Sequence, residues 1–314
     1  MEQRLLAILR LAVKNNASDI HFSQKYDQVE IFMRINDVIR KVKKKEGDDR
    51  LIRYLQYCSN LDIGTLNTPQ TGQFEKLIDD NVLSLRFAVI NSHNSTNGVL
   101  RILNSNLKVE ADNLSKVDGQ NKYFKELLKK DNGLILFSGA TGSGKTTTLY
   151  SLLKSVEGSI IYTIEDPIEV VSDKFVQLQI NEKIGFDYEA GIKQVMRHDP
   201  DIIMIGEIRD DKAAKMALRA ANTGHLVLST IHASSCASSI SRMVDLGVNE
   251  EYLYEMLLCL VHQKMIINRS GEKVVVYEIM NKEEIDYYRL NKKNSSNFLS
   301  IDVQIKKGIK DGIY

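Results

Sequence analysis

The sequence predicts an α/β protein with two domains, of which the second and larger is built on a mostly parallel sheet. Three observations lead to this fold class: a length of 314 residues, a polar stretch between residues 104 and 121, and short apolar strands that alternate with helical patterns beyond it. We expect a first domain over residues 1–107, a linker over residues 108–121 and a second domain over residues 122–314. A surface loop inside one domain is the alternative.

The first domain is expected to be small and mixed α/β. Apolar residues at helical spacing predict an opening helix, alternating segments at residues 29–35 and 83–89 predict strands, and residues 49–57 predict another helix. The residues of the opening helix expected to face a core are Leu5, Leu6, Leu9, Ala12 and Val13.

The second domain is expected to contain four buried strands. Apolar runs without alternation are typical of strands that are covered on both faces, and helical patterns lie between the runs. This alternation favours a parallel sheet with a nucleotide-binding architecture. The runs lie at residues 134–138, 159–164, 201–205 and 226–230.

The charge of the chain is balanced, with 42 Lys and Arg residues against 41 Asp and Glu residues and a formal net charge of +1. This balance argues against a strongly basic nucleic-acid-binding protein, so we expect no direct binding of nucleic acid. For the one dense basic run, a nucleic-acid or anionic-lipid patch and a solvated strand end both remain open. That run consists of Arg40, Lys41, Lys43, Lys44 and Lys45.

The cysteines and the apolar runs bear on the location of the protein. The 3 cysteines, Cys58, Cys236 and Cys259, are too widely spaced for a disulfide framework or a four-thiolate zinc site, which favours a reducing compartment. No cleavable leader is evident, and no apolar run approaches the roughly 18 residues of a membrane span. We therefore expect a soluble protein that reaches a membrane only through partners.

The most specific motif is a phosphate-binding loop. The segment GATGSGKT at residues 139–146 fits the pattern G-x-x-x-x-G-K-[ST] and lies between an apolar strand and a helical pattern. Its glycines permit turns that aim backbone N–H groups at phosphate oxygens. Lys145 is expected to contact the β and γ phosphates of ATP, and the Thr146 hydroxyl is expected to bind Mg²⁺. The residues predicted to bind the nucleotide are Gly139, Thr141, Gly142, Ser143, Gly144, Lys145, Thr146 and Thr147.

Two acidic segments follow predicted strands at the edge of the sheet where ligands bind. The first contains Glu165 and Asp166, and the second ends in Gly206 and Glu207. Because Gly206 stands where a metal-shell carboxylate is usual, Glu165 or Asp166 is expected to supply that carboxylate. Glu207 is then the candidate for activating water.

Two histidines and three arginines are further candidates. His225 and His232 flank one strand and therefore lie at its opposite ends, where they cannot form a metal pair. His232, at the carboxyl end, is expected to hydrogen-bond the γ-phosphate. A guanidinium often completes a phosphoryl-transfer site, although spacing alone does not distinguish the candidates from other arginines. These arginines are Arg86, Arg101 and Arg209.

Four segments in order, GATGSGKTTT, TIEDPIE, DPDIIMIGEIRD and TGHLVLSTIHA, resemble motifs of the secretion ATPases of type II secretion and type IV pilus systems. They are similar to the phosphate loop, aspartate box, Walker B segment and histidine box of that family. The resemblance extends to SDIH and RIND near the start of the chain and to VLRIL before the polar stretch. It covers most of residues 15–265.

This resemblance implies a hexameric cytoplasmic motor with a PAS-like first domain and a RecA-like second domain. It implies that the motor lies at the inner face of the membrane and uses ATP and Mg²⁺ to drive pilin assembly at an inner-membrane platform protein. It implies that Glu165 is the aspartate-box acid and that Glu207 is the catalytic glutamate. It also implies that His225 and His232 form the histidine box. Arg86 and Arg101 match the first-domain arginines that reach the nucleotide in this family.

Departures from the family pattern point to a subfamily. Residues 263–277 contain no cysteines, whereas longer pilus-assembly ATPases carry a four-cysteine zinc loop there, and the terminal signature of retraction motors is absent after Glu283. A chain with these features resembles the competence pseudopilus ATPases of Gram-positive bacteria, which act in DNA uptake. The alternatives are a DNA translocase, a pilus retraction motor of the same family and a scaffold that binds ATP without turnover.

Overall fold

The computed structural model describes residues 1–26, 28–35, 38–64, 68–79, 81–92, 94–103 and 109–314. The chain divides into two compact units, a first unit of Met1–Asn106 with Glu169–Val171 and a second unit of Leu107–Ile168 with Ser172–Tyr314. The predicted domain end at residue 107 and the last two residues of the RIND segment lie outside the described residues. The predicted bounds of the domains and linker therefore remain a prediction.

The described part of the first unit is a six-stranded antiparallel sheet with two α-helices. The order of its strands across the sheet is β3-β2-β1-β6-β5-β4. The elements are α1 (Glu2–Lys14), β1 (Ala17–Lys25), β2 (Gln28–Ile35), β3 (Val38–Lys41), α2 (Leu51–Cys58), β4 (Gln70–Ile78), β5 (Asn81–Ser92) and β6 (Ser95–Leu103).

The core of the first unit includes one stripe of α1. The buried residues of this helix are Leu5, Ile8, Leu9 and Ala12. Val13 is 44% exposed, so the prediction that it faces the core is wrong. Ile8 belongs to the buried stripe and shifts its centre around the helix, away from Val13.

The second unit is built on a seven-stranded sheet in the order β13-β12-β7-β11-β10-β8-β9. Every neighbouring pair is parallel except β12 and β13, which are antiparallel. The strands are β7 (Gly133–Ser138), β8 (Ile161–Glu165), β9 (Val176–Gln179), β10 (Ile202–Ile205), β11 (Leu226–Ile231), β12 (Leu257–Ile267) and β13 (Lys273–Met280).

The helices of the second unit alternate with these strands. Strands β7, β10 and β11 are buried along their whole length, which explains why each appears in the sequence as a continuous apolar run. The predicted α/β class with a mostly parallel sheet is confirmed. The helices are α3 (Gln120–Leu127), α4 (Lys145–Lys154), α5 (Tyr188–Val195), α6 (Asp211–Asn222), α7 (Cys236–Asp245), α8 (Glu250–Met256), α9 (Lys282–Asn291) and α10 (Ile301–Lys310).

The parallel strands bring several polar residues to one edge of the sheet. Strands β7, β11, β10 and β8 pair in register, so their carboxyl ends adjoin. Three short 3-10 turns complete the described elements, at Asp48–Arg50, Ala111–Asn113 and Glu182–Ile184. Among the described residues, none of the helices has both the length and the apolar character needed to cross a bilayer.

Candidate functional site

The phosphate loop joins the end of β7 to the start of α4, and its backbone requires glycine. Gly139 has a φ of 145° and Gly144 a φ of 89°, values that side-chain-bearing residues rarely adopt. A Cβ atom on Gly139 would lie 2.4 Å from the carbonyl oxygen of Gln263. The loop therefore lies directly against strand β12.

Helix α4 begins at Lys145, as the motif predicts. The ammonium of Lys145 donates hydrogen bonds to the carbonyl oxygens of Gly139 and Ala140, at 2.8 and 3.1 Å. Thr146 and Thr147 lie in the first turn of the helix and are half-buried. The lysine and the positive end of the helix thus lie on the same loop, an arrangement that can hold phosphate oxygens.

Gln263 on β12 supports the phosphate loop from behind, a contact that the sequence analysis missed. Its Nε2 donates to the carbonyl oxygen of Ser143 at 2.6 Å, and its side chain is buried. A Cβ on Gly144 would lie 3.1 Å from the same Nε2. The available signal was a glutamine inside an apolar strand, since a buried amide needs a hydrogen-bond partner.

Glu207 lies between two basic side chains just beyond β10. Its Oε2 accepts a hydrogen bond from Nε of Arg209 at 2.9 Å, and its Oε1 lies 3.0 Å from Nε2 of His232. The carboxylate is 18% exposed. It is therefore held in one orientation while it remains reachable from solvent, as a group that orients water must be.

Hydrogen bonds between strand ends fix the backbone around Glu207. The Thr230 hydroxyl donates to the carbonyl oxygen of Gly206 at 2.7 Å, and the Ser229 hydroxyl donates to that of Ile205 at 2.8 Å. The backbone N–H of Ile208 donates to the carbonyl oxygen of Thr230 at 2.9 Å. The ends of β10 and β11 are therefore tied together, which places His232 beside Glu207.

Glu165 ends β8 in a buried position, with only 3% of its surface exposed. Its Oε1 accepts hydrogen bonds from the hydroxyls of Tyr150 and Thr163, at 2.5 and 2.6 Å. Burial, followed by the neighbouring Glu165 carboxylate, raises the pKa of Tyr150 well above its usual value, so the phenol stays a proton donor. Glu165 is next to the Glu207 segment, because a Cβ on Gly206 would lie 3.4 Å from its Cγ.

Asp166 is connected to Glu207 through one arginine. The Arg209 guanidinium donates through NH1 to Oδ2 of Asp166 at 3.3 Å and through Nε to Glu207. The hydrogen bond that Arg209 donates to Glu207 raises the pKa of Arg209, against the opposing effect of burial. Arg209 therefore orders the carboxylates around it.

The residues present fit a magnesium ion bound together with a nucleotide. The candidates offer hard oxygen donors, namely the Thr146 hydroxyl and the carboxylates of Glu165 and Asp166. Magnesium commonly takes only one or two protein oxygens, with phosphate oxygens and waters as its other ligands. Among the described residues, no group of three His, Cys, Asp or Glu side chains converges as a metal centre.

Of the three other candidates, His225 lies away from this cluster within the second unit, and the two arginines belong to the first unit. His225 precedes β11 at the opposite end from His232, and its Nδ1 lies 3.1 Å from the carbonyl oxygen of Ala220. In the first unit, Arg86 on β5 and Arg101 on β6 are direct cross-strand partners. Arg101 pairs with Asp19 on β1 at 2.7 Å. The cross-strand pairing of the two arginines was not visible in the sequence.

The sequence matches the profile of the family "Type II/IV secretion system protein" over residues 1–297. It is 38% identical over 265 residues to the protein transport protein HofB homolog of Haemophilus influenzae, covering 82% of this chain and 57% of that protein. It is 34% identical over 264 residues to the competence protein ComGA of Bacillus subtilis, covering 82% of this chain and 74% of that protein. The chain thus spans just over half the length of the first relative.

Solved structures share this fold. The pilus retraction motor PilT with bound ADP superposes with a TM-score of 0.78 at 27% identity, covering 98% of this chain and 93% of that one. The ATPase DotB of Legionella pneumophila gives a TM-score of 0.72 at 22% identity, covering 96% of this chain and 86% of that one, and this likeness concerns the fold alone. The predicted resemblance to secretion ATPases is confirmed. The chain belongs to the Type II/IV secretion system protein family, a family of secretion ATPases.

Proposed function

We propose that this protein hydrolyses ATP to power assembly of a competence pseudopilus or type IV pilus for DNA uptake. The hydrolysis part rests on one observation, the Glu207 carboxylate held between Arg209 and His232 on the sheet edge that carries the phosphate loop. The assembly part is supported by the similarity to the competence protein ComGA of Bacillus subtilis.

The phosphate loop would hold the triphosphate through its backbone N–H groups and Lys145. The ammonium lies over the carbonyl oxygens of Gly139 and Ala140. A phosphate oxygen carries negative charge, so it would form a stronger hydrogen bond with this ammonium than a neutral carbonyl oxygen does. Lys145 would then stabilise the negative charge that spreads over the transferred phosphoryl group.

Glu207 would orient the attacking water and accept its proton. Its two oxygens are directed by Arg209 and His232, so the carboxylate need not reorganise when a water binds. We propose that Arg86 and Arg101 supply further positive charge to the nucleotide.

A magnesium ion, when bound, would neutralise charge on the β and γ phosphates. We propose that the Thr146 hydroxyl binds it and that Glu165 or Asp166 contributes the carboxylate of its outer shell. Glu165 is buried, and its Oε1 accepts from Tyr150 and Thr163, whereas the Asp166 side chain is 44% exposed and bonded to Arg209. Substitution of each in turn, with the magnesium dependence as the readout, separates these candidates.

The proposed assembly is a homohexamer in the cytoplasm that contacts an inner-membrane platform protein of the pilus machine. We propose that each subunit consists of a first domain over residues 1–107, a linker over residues 108–121 and a second domain over residues 122–314. A retraction motor is the second candidate, because the chain resembles the pilus retraction motor PilT over almost its whole length. Pilus length in cells that lack the protein distinguishes the two: loss of pili indicates assembly, and excess pili indicate retraction.

The decisive experiment compares ATP turnover and ATP binding in Glu207→Gln and Lys145→Ala. We expect Glu207→Gln to lower kcat at least about a hundredfold while ATP still binds, because a general base contributes about that factor or more. Lys145→Ala should lose ATP binding. Glu126→Gln, an exposed change of the same type on α3, is the control and should leave both quantities unchanged.

Near-wild-type turnover in either variant would overturn the proposed site. The cellular part is tested by DNA uptake and piliation in a strain that carries Glu207→Gln, together with the mass of the purified oligomer. If the purified Glu207→Gln variant has lost turnover but its strain still takes up DNA normally, the proposed biological role is contradicted and the proposed hydrolase site stands.

A further inference from the structure

A cavity of about 640 Å³ lies beside the phosphate loop, within the second unit. One wall is the first half of the loop, another is the segment after β11 that contains His232, and a third comes from β12. The N-terminus of α10 closes it with Ile301 and Asp302. The β12 wall contributes a histidine, His262, that none of the four motifs contains.

His262 is fixed at one nitrogen and free at the other. The residue is only 7% exposed, and its Nδ1 lies 3.1 Å from the hydroxyl of Ser138, the last residue of β7 before the loop. Among the described residues, Nε2 has no hydrogen-bond partner. This nitrogen nevertheless has access to solvent. Because the ring lines the cavity, its free nitrogen opens to that space.

The hydrogen bond at Nδ1 determines what Nε2 can do. The Ser138 hydroxyl, which has a single proton, lies 3.1 Å from Nδ1 and 3.4 Å from the carbonyl oxygen of Val261, so it can donate to the imidazole at the shorter of the two contacts. A neutral ring that accepts at Nδ1 carries its proton on Nε2. Burial is the main cause that lowers the pKa of His262, which favours the neutral ring. Nε2 is then a hydrogen-bond donor that faces the cavity.

The other walls show which part of a nucleotide would meet this donor. His232 lines the same cavity and contacts Glu207 at 3.0 Å, the residue proposed to activate water. From the phosphate loop, the lining takes the first part, Gly139 to Ser143. Because His232 joins this cavity to Glu207, the cavity lies on the side of the loop where water would attack the terminal phosphate.

Charges on the third wall leave the donor available. Lys264 and Asp302 both line the cavity and pair with each other at 3.8 Å, so the carboxylate has its own cationic partner. Glu278, the cross-strand partner of His262, accepts hydrogen bonds from the backbone N–H groups of Cys236 and Ile301. Neither carboxylate occupies Nε2.

We propose that His262 is a further binding residue of the nucleotide site, which donates a hydrogen bond from Nε2 to the terminal phosphate of ATP. Ser138 holds the ring in the required tautomer and orientation. The inference rests on the proposed binding of ATP by the phosphate loop. It predicts that His262 distinguishes ATP from ADP, because ADP lacks the phosphate that it contacts.

Two substitutions at His262 test the roles of its two ring nitrogens separately. In His262→Asn the amide takes the position of Nδ1 and can keep the contact to Ser138, but nothing replaces Nε2. In His262→Gln the amide nitrogen reaches the position of Nε2 and can still donate. The affinities for a non-hydrolysable ATP analogue and for ADP are measured for both variants, with the melting temperature as a check on folding.

We expect His262→Asn to weaken binding of the ATP analogue about tenfold, the factor that loss of one hydrogen bond to a charged group produces, and to leave ADP binding unchanged. His262→Gln should retain most of the preference for the analogue. His198→Asn, a change at an exposed histidine, is the control. Equal weakening of ATP-analogue and ADP binding in His262→Asn, or no weakening of either, overturns the inference.

Lys145→Ala in the same assay keeps this inference separate from the proposed function. If Lys145→Ala binds the analogue normally, the proposed phosphate site itself is wrong. If Lys145→Ala loses binding and His262→Asn matches the wild type, the site stands and only the role of His262 fails.

Discussion

At the scale of single residues, the phosphate loop depends on the absence of a Cβ at its first position. Gly139 has both an unusual backbone conformation, with a φ of 145°, and a neighbouring carbonyl oxygen 2.4 Å from the place where a Cβ would be. Gly142 shares only the first property. Its φ is 79°, and no other atom lies within 4 Å of its Cβ position.

This contrast yields a prediction for two alanine substitutions. Gly142→Ala incurs a backbone penalty of roughly 1–2 kcal/mol, and Gly139→Ala, whose φ of 145° lies farther from the left-handed helical region, incurs at least roughly that penalty. Only Gly139→Ala must also push the loop away from β12, because the contacted atom belongs to the backbone of Gln263. We expect Gly139→Ala to weaken ATP binding at least about ten times more than Gly142→Ala does, measured by titration with a fluorescent ATP analogue.

Gly142→Ala controls for an alanine at a positive φ in the same loop. Thermal unfolding of both variants reports whether the loss is local to the loop or extends to the fold. Equal affinities of the two variants for the analogue would show that the contact with Gln263 does not shape the binding loop.

At the scale of secondary-structure elements, one buried carboxylate connects two helices to the sheet. Glu278 on β13 is 3% exposed. Its Oε1 accepts from the backbone N–H of Cys236, and its Oε2 accepts from that of Ile301, both at 2.8 Å. These are the first residues of α7 and α10, so a negative charge lies at the positive ends of both helices.

We predict that Glu278→Gln destabilises the second unit by about 2–4 kcal/mol. The amide oxygen can accept one of the two hydrogen bonds. The NH₂ group then faces the other buried backbone N–H, so neither this NH₂ group nor that N–H has an acceptor. The free energy of unfolding in urea measures the effect. A change below about 0.5 kcal/mol, the level of an ordinary surface substitution, would contradict it.

Asp187→Asn provides the control for this prediction. Asp187 caps the single helix α5 by accepting from the backbone N–H of Ala190 at 2.8 Å, and asparagine caps about as well as aspartate. The same exchange of carboxylate for amide should therefore be nearly neutral there. Melting of both variants at equal protein concentration completes the comparison.

The elements also show what could be predicted from the sequence. The phosphate loop and the strands that flank it follow from local spacing, since a strand, a glycine pattern and a helix lie within one short stretch of chain. The positions of Gln263 and Glu278 depend instead on β12 and β13 lying beside β7 in the sheet. That order joins segments more than 100 residues apart, and no local pattern encodes it.

Errors within predicted elements have a similar cause. The opening helix was predicted correctly, but its buried face was placed too far around toward Val13, because helical spacing alone does not say which stripe the sheet covers. In the candidate site, the strand ends were predictable, whereas the pairing of Glu207 with both Arg209 and His232 required the side-chain conformations.

At the scale of the whole molecule, each of the two units has its own buried core. Buried apolar residues that lie between Leu5 and Leu100 form one cluster. Buried apolar residues that lie between Leu134 and Ile285 form another. Separate cores permit separate unfolding transitions, as is usual for chains of more than one compact unit. A substitution that affects one core should therefore shift the exchange protection of that unit alone.

Arg4 and Asp48 in the first unit make this testable, because their ion pair is largely buried. Nε of Arg4 lies 2.8 Å from Oδ1 of Asp48, whose side chain is fully buried. Burial raises the pKa of Asp48, but the hydrogen bonds from Arg4 and from the backbone of Lys45 outweigh it and hold the pKa below its usual value. The pair therefore stabilises the folded unit above the unfolded-state pKa of about 3.9, and this stability is lost as the pH falls through the lower folded-state pKa.

We predict that Arg4→Leu lowers the stability of the first unit by about 3 kcal/mol at pH 7, because it leaves a buried carboxylate without its partner. The difference from the wild type should shrink as the pH is lowered below 4, where protonated Asp48 no longer needs a cation. Hydrogen exchange resolved by peptide measures each unit separately. Arg10→Leu, which removes the exposed pair of Arg10 with Asp79 from the same helix, should change stability by less than about 1 kcal/mol. An equal loss of protection in both units after Arg4→Leu would show that the two cores unfold as one.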